Sequence, residues 1–114
     1  MPWLLRDGTV LASLEVASSR RDRRRGLLGR DGLEGALLIE RTKSVHTIGM
    51  RFPIDVAHLA DDGTVLRTTT MARQRLGLPV FTAAKVLEAE AGAFRHWELM
   101  PGQQLEVRRG EEPA

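Results

Sequence analysis

Alternating apolar and polar residues along much of the chain predict a β-rich fold. Between Thr9 and Val16 every second residue is apolar, which is the period of a strand with one buried face. The same reasoning gives further strands at residues 3–6, 36–39, 54–60, 64–71, 85–91 and 104–108. Asp7-Gly8 and Asp61-Asp62-Gly63 are typical hairpin turns because these residues accept positive φ angles.

The strand at 54–60 is apolar on both faces and interrupted once on each, by Asp55 and by His58. Such a strand is buried on both sides, so we expect its hairpin with 64–71 to form the centre of the sheet. A buried carboxylate needs compensation, which predicts that Asp55 pairs with an arginine, either Arg51 or Arg25. We interpret His58 as a hydrogen-bonded core histidine rather than a ligand.

One principal helix is predicted at about residues 20–28. Ser19 and Asp22 have the spacing of a capping box, and Gly29 or Gly32 ends the helix; residues 93–99 are expected to add one helical turn. The fold class is therefore α+β and β-rich, with a compact, mostly antiparallel sheet or partly closed barrel and one short helix packed at its edge. A length of 114 residues predicts one domain over 1–110, with 111–114 as a frayed tail.

Composition narrows the possible chemistry. With 42% apolar and 28% charged residues, the chain has the composition of an ordinary globular domain. The absence of cysteine excludes disulfides, thiolate metal sites and cysteine nucleophiles. No apolar run is long enough to span a bilayer and no export signal is apparent, so we expect a cytoplasmic protein without a membrane span.

The candidate site centres on residues 45–56, which read V-H-T-I-G-M-R-F-P-I-D-V. Gly49 and Pro53 break this stretch into a bulge or tight corner, and a corner of this kind can turn neighbouring polar side chains towards one concavity. The alternative is that Arg51 and Asp55 pair and fill the space. The predicted ligand-binding residues are Arg25, His46, Met50, Arg51, Asp55 and Glu88.

Four sequence blocks carry a family resemblance: R-R-R-G-L-L-G-R, H-T-I-G-M-R-F-P-I-D-V, D-D-G-T-V and V-L-E-A-E-A-G. In this order, over roughly residues 9–107, they resemble the domain-of-unknown-function 192 family. The resemblance implies a small β-rich domain without an established activity, and it places Arg25 in an R-G-L signature and Glu88 in a V-L-E block. His46 and Thr47 stand where members of that family commonly carry bulky apolar residues.

The remaining motifs favour binding over catalysis. The histidines lack metal-ligand spacing, and no serine or threonine lies in a nucleophile motif, so no cofactor is expected; His46 with Met50 is a conceivable soft-metal pair but offers only two ligands. We therefore predict a binding or accessory module whose corner, flanked by Arg25, Arg51 and Arg73, holds a small anionic or polar ligand or an acidic protein partner.

Two alternatives stay open. One is a small hydrolase-type enzyme that uses Asp55 or Glu88 as a general base. The other is a docking protein that acts through the arginines of residues 20–25. Binding of nucleic acid is disfavoured, because no aromatic residues are interleaved with these arginines.

Overall fold

A computed structural model of the chain describes residues 2–110, and one seven-stranded sheet dominates it. Two short helices are inserted between strands, which confirms the β-rich α+β prediction. The predicted tail at 111–114 lies outside the described residues. The elements are β1 (Trp3–Arg6), β2 (Thr9–Ala17), α1 (Arg20–Arg25), β3 (Ala36–Glu40), β4 (Ile54–Leu59), β5 (Val65–Met71), β6 (Lys85–Glu90), α2 (Ala93–His96) and β7 (Glu106–Arg108).

The strands lie in the order β5-β4-β6-β3-β2-β1-β7. Neighbours are antiparallel except for the parallel pair β2 and β3. The prediction that the β4–β5 hairpin forms the centre of the sheet is wrong, because β6 pairs with the other side of β4 and leaves β5 at the edge. β6 takes a central place because, like β4, it is buried on both faces.

The sheet curves so that its two edges approach each other at one end. The backbone N–H of Val65 donates to the Gln103 carbonyl at 2.8 Å, and Thr64 forms a bridge with Gln104. These contacts do not continue along the strands, and β5 and β7 are not paired. The sheet therefore stays open between its two edges.

Apolar side chains cover both faces of the sheet in two separate clusters. On the face that we call the α2 face, Ala57 and Leu59 of β4 pack in a cluster that includes Phe94 of α2. On the face that we call the corner face, Ile54 and Val56 pack in a cluster formed with residues from the loops that flank β3. These covering residues are Leu27, Leu33, Met50 and Phe52.

The parallel pairing of β2 with β3 explains how α1 reaches the sheet. Parallel neighbours need a crossover connection, and residues 18–35 form it. Ser19 caps α1 by accepting a hydrogen bond from the Asp22 N–H at 3.0 Å. The helix ends at Gly26, whose φ of 50° and ψ of −125° leave the helical region, and Leu27 then enters the core of the corner face.

Candidate functional site

Beside Glu88, on the corner face, lies a cavity of about 80 Å³, which we call the Glu88 cavity. The end of α1 and the loop between β3 and β4 form its walls. It brings together four of the six residues predicted from the sequence. These four are Arg25, His46, Met50 and Glu88.

Strand register explains why Glu88 points into the core of this face. In β6 it lies opposite Leu37 of β3 on one side and Val56 of β4 on the other. Only 2% of Glu88 is exposed, and its carboxylate makes no hydrogen bond or ion pair with any other residue of 2–110. Burial raises the pKa of this carboxyl to about 7.

Gly26 lies next to the Glu88 carboxylate. A Cβ placed on Gly26 would lie 3.9 Å from Glu88 Oε1 and 3.7 Å from Ile39 Cδ1. Its positive φ is unfavourable for residues that carry a side chain. The R-G-L sequence thus ends the helix beside the carboxylate, and its glycine supplies the positive φ that the turn requires.

Arginines of the last turn of α1 supply the positive charge of the Glu88 cavity. Arg24 and Arg25 are exposed and make no hydrogen bond or ion pair with any residue between 2 and 110. Arg23 donates through Nη1 to the Arg41 carbonyl at 3.3 Å, whereas its Nε is buried without a partner. The cavity therefore combines one buried carboxyl with guanidinium groups that are not engaged by the protein.

Thr47, which the sequence reasoning did not select, fixes the corner between β3 and β4. It is fully buried and donates through Oγ1 to the Ala72 carbonyl at 2.6 Å. The same oxygen accepts from the Arg75 N–H at 2.9 Å, and the Thr47 N–H donates to the Arg75 carbonyl at 2.8 Å. These bonds hold the loop after β5 against residues 46–50. A hydroxyl in an apolar stretch was the only sequence signal for this role.

Arg51 and Asp55 do not line the Glu88 cavity. Arg51 pairs with Asp31 at 3.0 Å, and the two side chains are 59% and 87% exposed. Because Asp55 alternates with Ile54 and Val56 in β4, it points to the α2 face. Arg73, expected to flank the corner, is exposed and does not line the cavity either.

The prediction that Asp55 pairs with an arginine is wrong, although the residue is buried, with 3% exposed. Its Oδ1 accepts from Thr70 Oγ1 at 2.6 Å. Its Oδ2 accepts from the backbone N–H groups of Gly92 and Phe94 at 2.9 and 3.1 Å. Donors at the start of α2 therefore replace the expected guanidinium, and Asp55 anchors that helix to the sheet.

His58 is buried as expected, with 4% exposed, but the prediction that it is hydrogen-bonded is wrong. Neither Nδ1 nor Nε2 has a hydrogen-bond partner among the described residues. Burial, and secondarily the charge of Arg67, lowers the pKa of the imidazole. The Lys43 backbone has a smaller effect and raises the pKa, although no hydrogen bond of normal geometry joins it to the ring.

Two structural findings bear on cofactors and membranes. Within residues 2–110 no three histidine, aspartate or glutamate side chains are grouped so that they could hold a metal ion. Nor does this part of the chain contain a helix of the length and apolarity needed to cross a membrane.

Residues 4–107 match the DUF192 family, described as Uncharacterized ACR. The chain belongs to this family, as its sequence blocks predicted. Among curated proteins none has a significant match to it.

Two solved structures have a similar fold. A protein of unknown function from Novosphingobium aromaticivorans has a TM-score of 0.76 and 18% identity, over 92% of this chain and 82% of that one. A candidate transcription regulator from Sinorhizobium meliloti has a TM-score of 0.77 and 23% identity, over 93% of this chain and 91% of that one. At these identities the similarity establishes the fold.

Proposed function

We propose that the protein is a small binding module and that the Glu88 cavity is its site for a small polar or anionic ligand. The observation that carries the proposal is the buried Glu88 carboxylate, which has no hydrogen-bond partner among the described residues. A buried polar group without a partner is costly to the folded state. A ligand that supplies a hydrogen-bond partner compensates this cost on binding.

The arginines at the cavity define the other end of the ligand. Arg24 and Arg25 have unengaged guanidinium groups, which prefer carboxylate or phosphate oxygens because they can donate two parallel hydrogen bonds. A matching ligand has a hydrogen-bonding head group next to Glu88 and an oxyanion within reach of the arginines. Small zwitterions and hydroxy acids have both.

The size of the cavity limits how much of the ligand enters. About 80 Å³ is several times the roughly 10–15 Å³ that one water requires on this measure. It accepts a head group of a few heavy atoms. The rest of the ligand must then lie at the mouth, where the arginines are exposed.

The pKa of Glu88 favours a second candidate, which is acid–base catalysis at the same cavity. A general base is most effective when its pKa is close to the working pH, and burial raises the pKa of Glu88 to about 7. Asp55, the other carboxylate considered from the sequence, is held by three hydrogen bonds on the opposite face. Glu88 is therefore the better candidate for a base.

Titration of ¹⁵N-labelled protein with glycine, lactate, succinate and inorganic phosphate tests the binding proposal. We expect saturable shifts at Gly26, His46 and Glu88 for at least one of these probes. The variant R25A should weaken that binding by about tenfold, the equivalent of one charge-assisted hydrogen bond. R21A on the same helix is the matched control, because Arg21 is exposed and does not line the cavity.

Absence of shifts around the Glu88 cavity with all four probes would count against the proposal. Equal weakening by R25A and R21A would also count against it, because it would indicate a general effect of net charge. To test the catalytic candidate, hydrolysis of p-nitrophenyl acetate should be followed between pH 5 and 9. Catalysis by Glu88 requires a rate that rises through about pH 7 and is lost in E88Q.

A further inference from the structure

A second cavity, of about 390 Å³, lies between β5 and the loop that follows it, and His58 forms part of its wall. We call it the His58 cavity. Its volume lies within the usual range for small-molecule sites, about 300–1,000 Å³. Val45 lines both this cavity and the Glu88 cavity, so the two are neighbours on the corner face.

His58 provides this cavity with an unpartnered polar group. Only 4% of the residue is exposed, and both ring nitrogens are buried without a hydrogen bond to any residue of 2–110. Because burial and Arg67 lower its pKa, the ring is neutral at neutral pH, with one nitrogen as donor and the other as acceptor. A core histidine kept only for packing would be expected to have a partner.

Two arginines, Arg67 and Arg75, line the His58 cavity. Arg67 lies directly opposite His58 in the register of β4 and β5, so both side chains project on the same face. Arg67 makes no hydrogen bond or ion pair with any described residue. The guanidinium of Arg75 donates only to the neighbouring carbonyls of Arg73 and Gln74 among the described residues. No aspartate or glutamate lines the cavity, so its charge is complementary to an anion.

Large apolar side chains form the outer wall of the cavity. Leu76 and Leu78 are 77% and 69% exposed, and only Gly77 separates them in the loop after β5. Exposed apolar groups next to a cavity are typical of a surface that a ligand covers. Their position beside the arginines indicates a ligand with an apolar body and an anionic head.

We propose that the His58 cavity is a binding site for a small carboxylate with an apolar body, such as a short-chain aliphatic acid. The carboxylate accepts hydrogen bonds from the Arg67 guanidinium and, after a rotation of the buried imidazole that turns a ring N–H into the cavity, from His58. The aliphatic part lies against Leu76 and Leu78. This arrangement supplies the partner that His58 lacks and covers the apolar rim.

Hexanoate is the probe for this proposal. Acetate is the control for the apolar body of the ligand, and 1-hexanol is the control for its carboxylate. Binding is followed by the imidazole ¹⁵N resonances of His58. We expect saturable shifts with hexanoate, and affinity weaker by about tenfold or more for acetate, which lacks most of the apolar body. Hexanol, which lacks the oxyanion, should not produce the same shifts.

Substitutions in the cavity should separate a binding role from a structural one. R67Q should weaken hexanoate binding by about tenfold, whereas R73Q, which changes an exposed arginine outside the cavity, should leave it unchanged. H58F should also lose binding. Because phenylalanine keeps a buried ring and removes two unpartnered nitrogens, this variant should melt no lower than the wild type.

Several outcomes would overturn the proposal. They are an absence of hexanoate shifts at His58, equal effects of hexanoate and hexanol, or an R67Q variant that binds as tightly as R73Q. A dimer that forms with rising protein concentration and is abolished by L78S, without any response to hexanoate, would instead assign the apolar rim to a second copy of the chain. E88Q should bind hexanoate normally, so failure of the Glu88 proposal and failure of this one are distinguishable.

Discussion

Asp55 and Glu88 lie one register step apart on adjacent strands and point to opposite faces of the sheet. Asp55 is paired with Ala89, and Glu88 is paired with Val56. Both carboxyl groups are almost completely buried, but Asp55 accepts three hydrogen bonds and Glu88 accepts none from the described residues. The hydrogen bonds of Asp55 indicate a structural role, whereas the carboxyl group of Glu88 is the one to which a ligand could supply a hydrogen-bond partner.

Replacement of Asp55 by alanine should destabilise the fold. The change leaves the buried N–H of Phe94 and the N–H of Gly92 without their acceptor, and each lost partner costs about 1–3 kcal/mol. We expect a loss of about 2–4 kcal/mol in the free energy of unfolding, measured with urea. D31A removes an exposed carboxylate and is the control, with an expected loss below about 1 kcal/mol. Equal losses in the two variants would contradict the anchoring role of Asp55.

Stability should fall as the pH rises from about 4.5 to about 7, because of Glu88. Its carboxyl binds a proton more tightly in the folded state, where its pKa is about 7, than in the unfolded chain, where 4.5 is the ordinary value. The unfolded state therefore ionises first and is favoured in this range. At about 1.4 kcal/mol per pH unit, the full effect is roughly 3 kcal/mol above pH 7.

The variant E88Q should remove this pH dependence. At pH 8 it should be more stable than the wild type, and the difference should disappear below about pH 4.5. Urea unfolding across this pH range provides the measurement, with E34Q, a change at an exposed position, as the control. Parallel stability curves for E88Q and the wild type would show that the Glu88 carboxyl is not desolvated.

Gly63 should tolerate alanine much less well than Gly92. Both have positive φ, at 90° and 98°, so both variants carry the backbone strain of about 1–2 kcal/mol. An added Cβ at Gly63 would also overlap the Leu105 carbonyl, whereas at Gly92 it would meet nothing within 4 Å. G63A should therefore lose more stability than G92A in thermal or urea unfolding. Its added Cβ would force apart residues 63–65 and 103–105, which hold the two edges of the sheet together.

The ion pair between Glu15 and Arg30 should contribute modestly to the stability of the fold. Two hydrogen bonds of 2.7 and 3.0 Å join the side chains, and the bond from Arg30 lowers the pKa of Glu15. Its contribution is therefore present above about pH 4.5 and is lost as the pH falls below that value. A double-mutant cycle with E15Q and R30Q should give less than about 1 kcal/mol, because both groups are partly exposed. The coupling should decrease at high salt.

The local part of the fold was accessible from sequence because short-range patterns determine it. Alternation identified β2, and the Asp-Gly turns identified the hairpins on either side of β3. The place of β6 between β3 and β4 was not predicted. The alternation within one strand shows which of its faces is buried, but not which distant strand it pairs with. The partner of Asp55 was missed for a related reason. Its donors are backbone N–H groups at residues 92 and 94, and no residue type marks these.

The candidate site was predictable in part. His46 and Met50 follow from the corner predicted by Gly49 and Pro53, and Arg25 and Glu88 from the family blocks; all four line one cavity. Arg51 was selected for its nearness in sequence, but it turns outward to Asp31. His58 was assigned a partner on the general behaviour of core histidines. Only the three-dimensional arrangement shows that neither ring nitrogen has one among the described residues.

The position of β5 at the edge of the sheet has a consequence for aggregation. Among the described strands only β4 pairs with β5, so the outer backbone groups of β5 beyond Val65, which is bonded to Gln103, are a template on which another chain could add a strand. Arg67 and the three threonines that follow it occupy the middle of β5, and charged residues on an edge strand oppose such growth. On this principle the charge of Arg67 opposes the pairing of one copy of β5 with another.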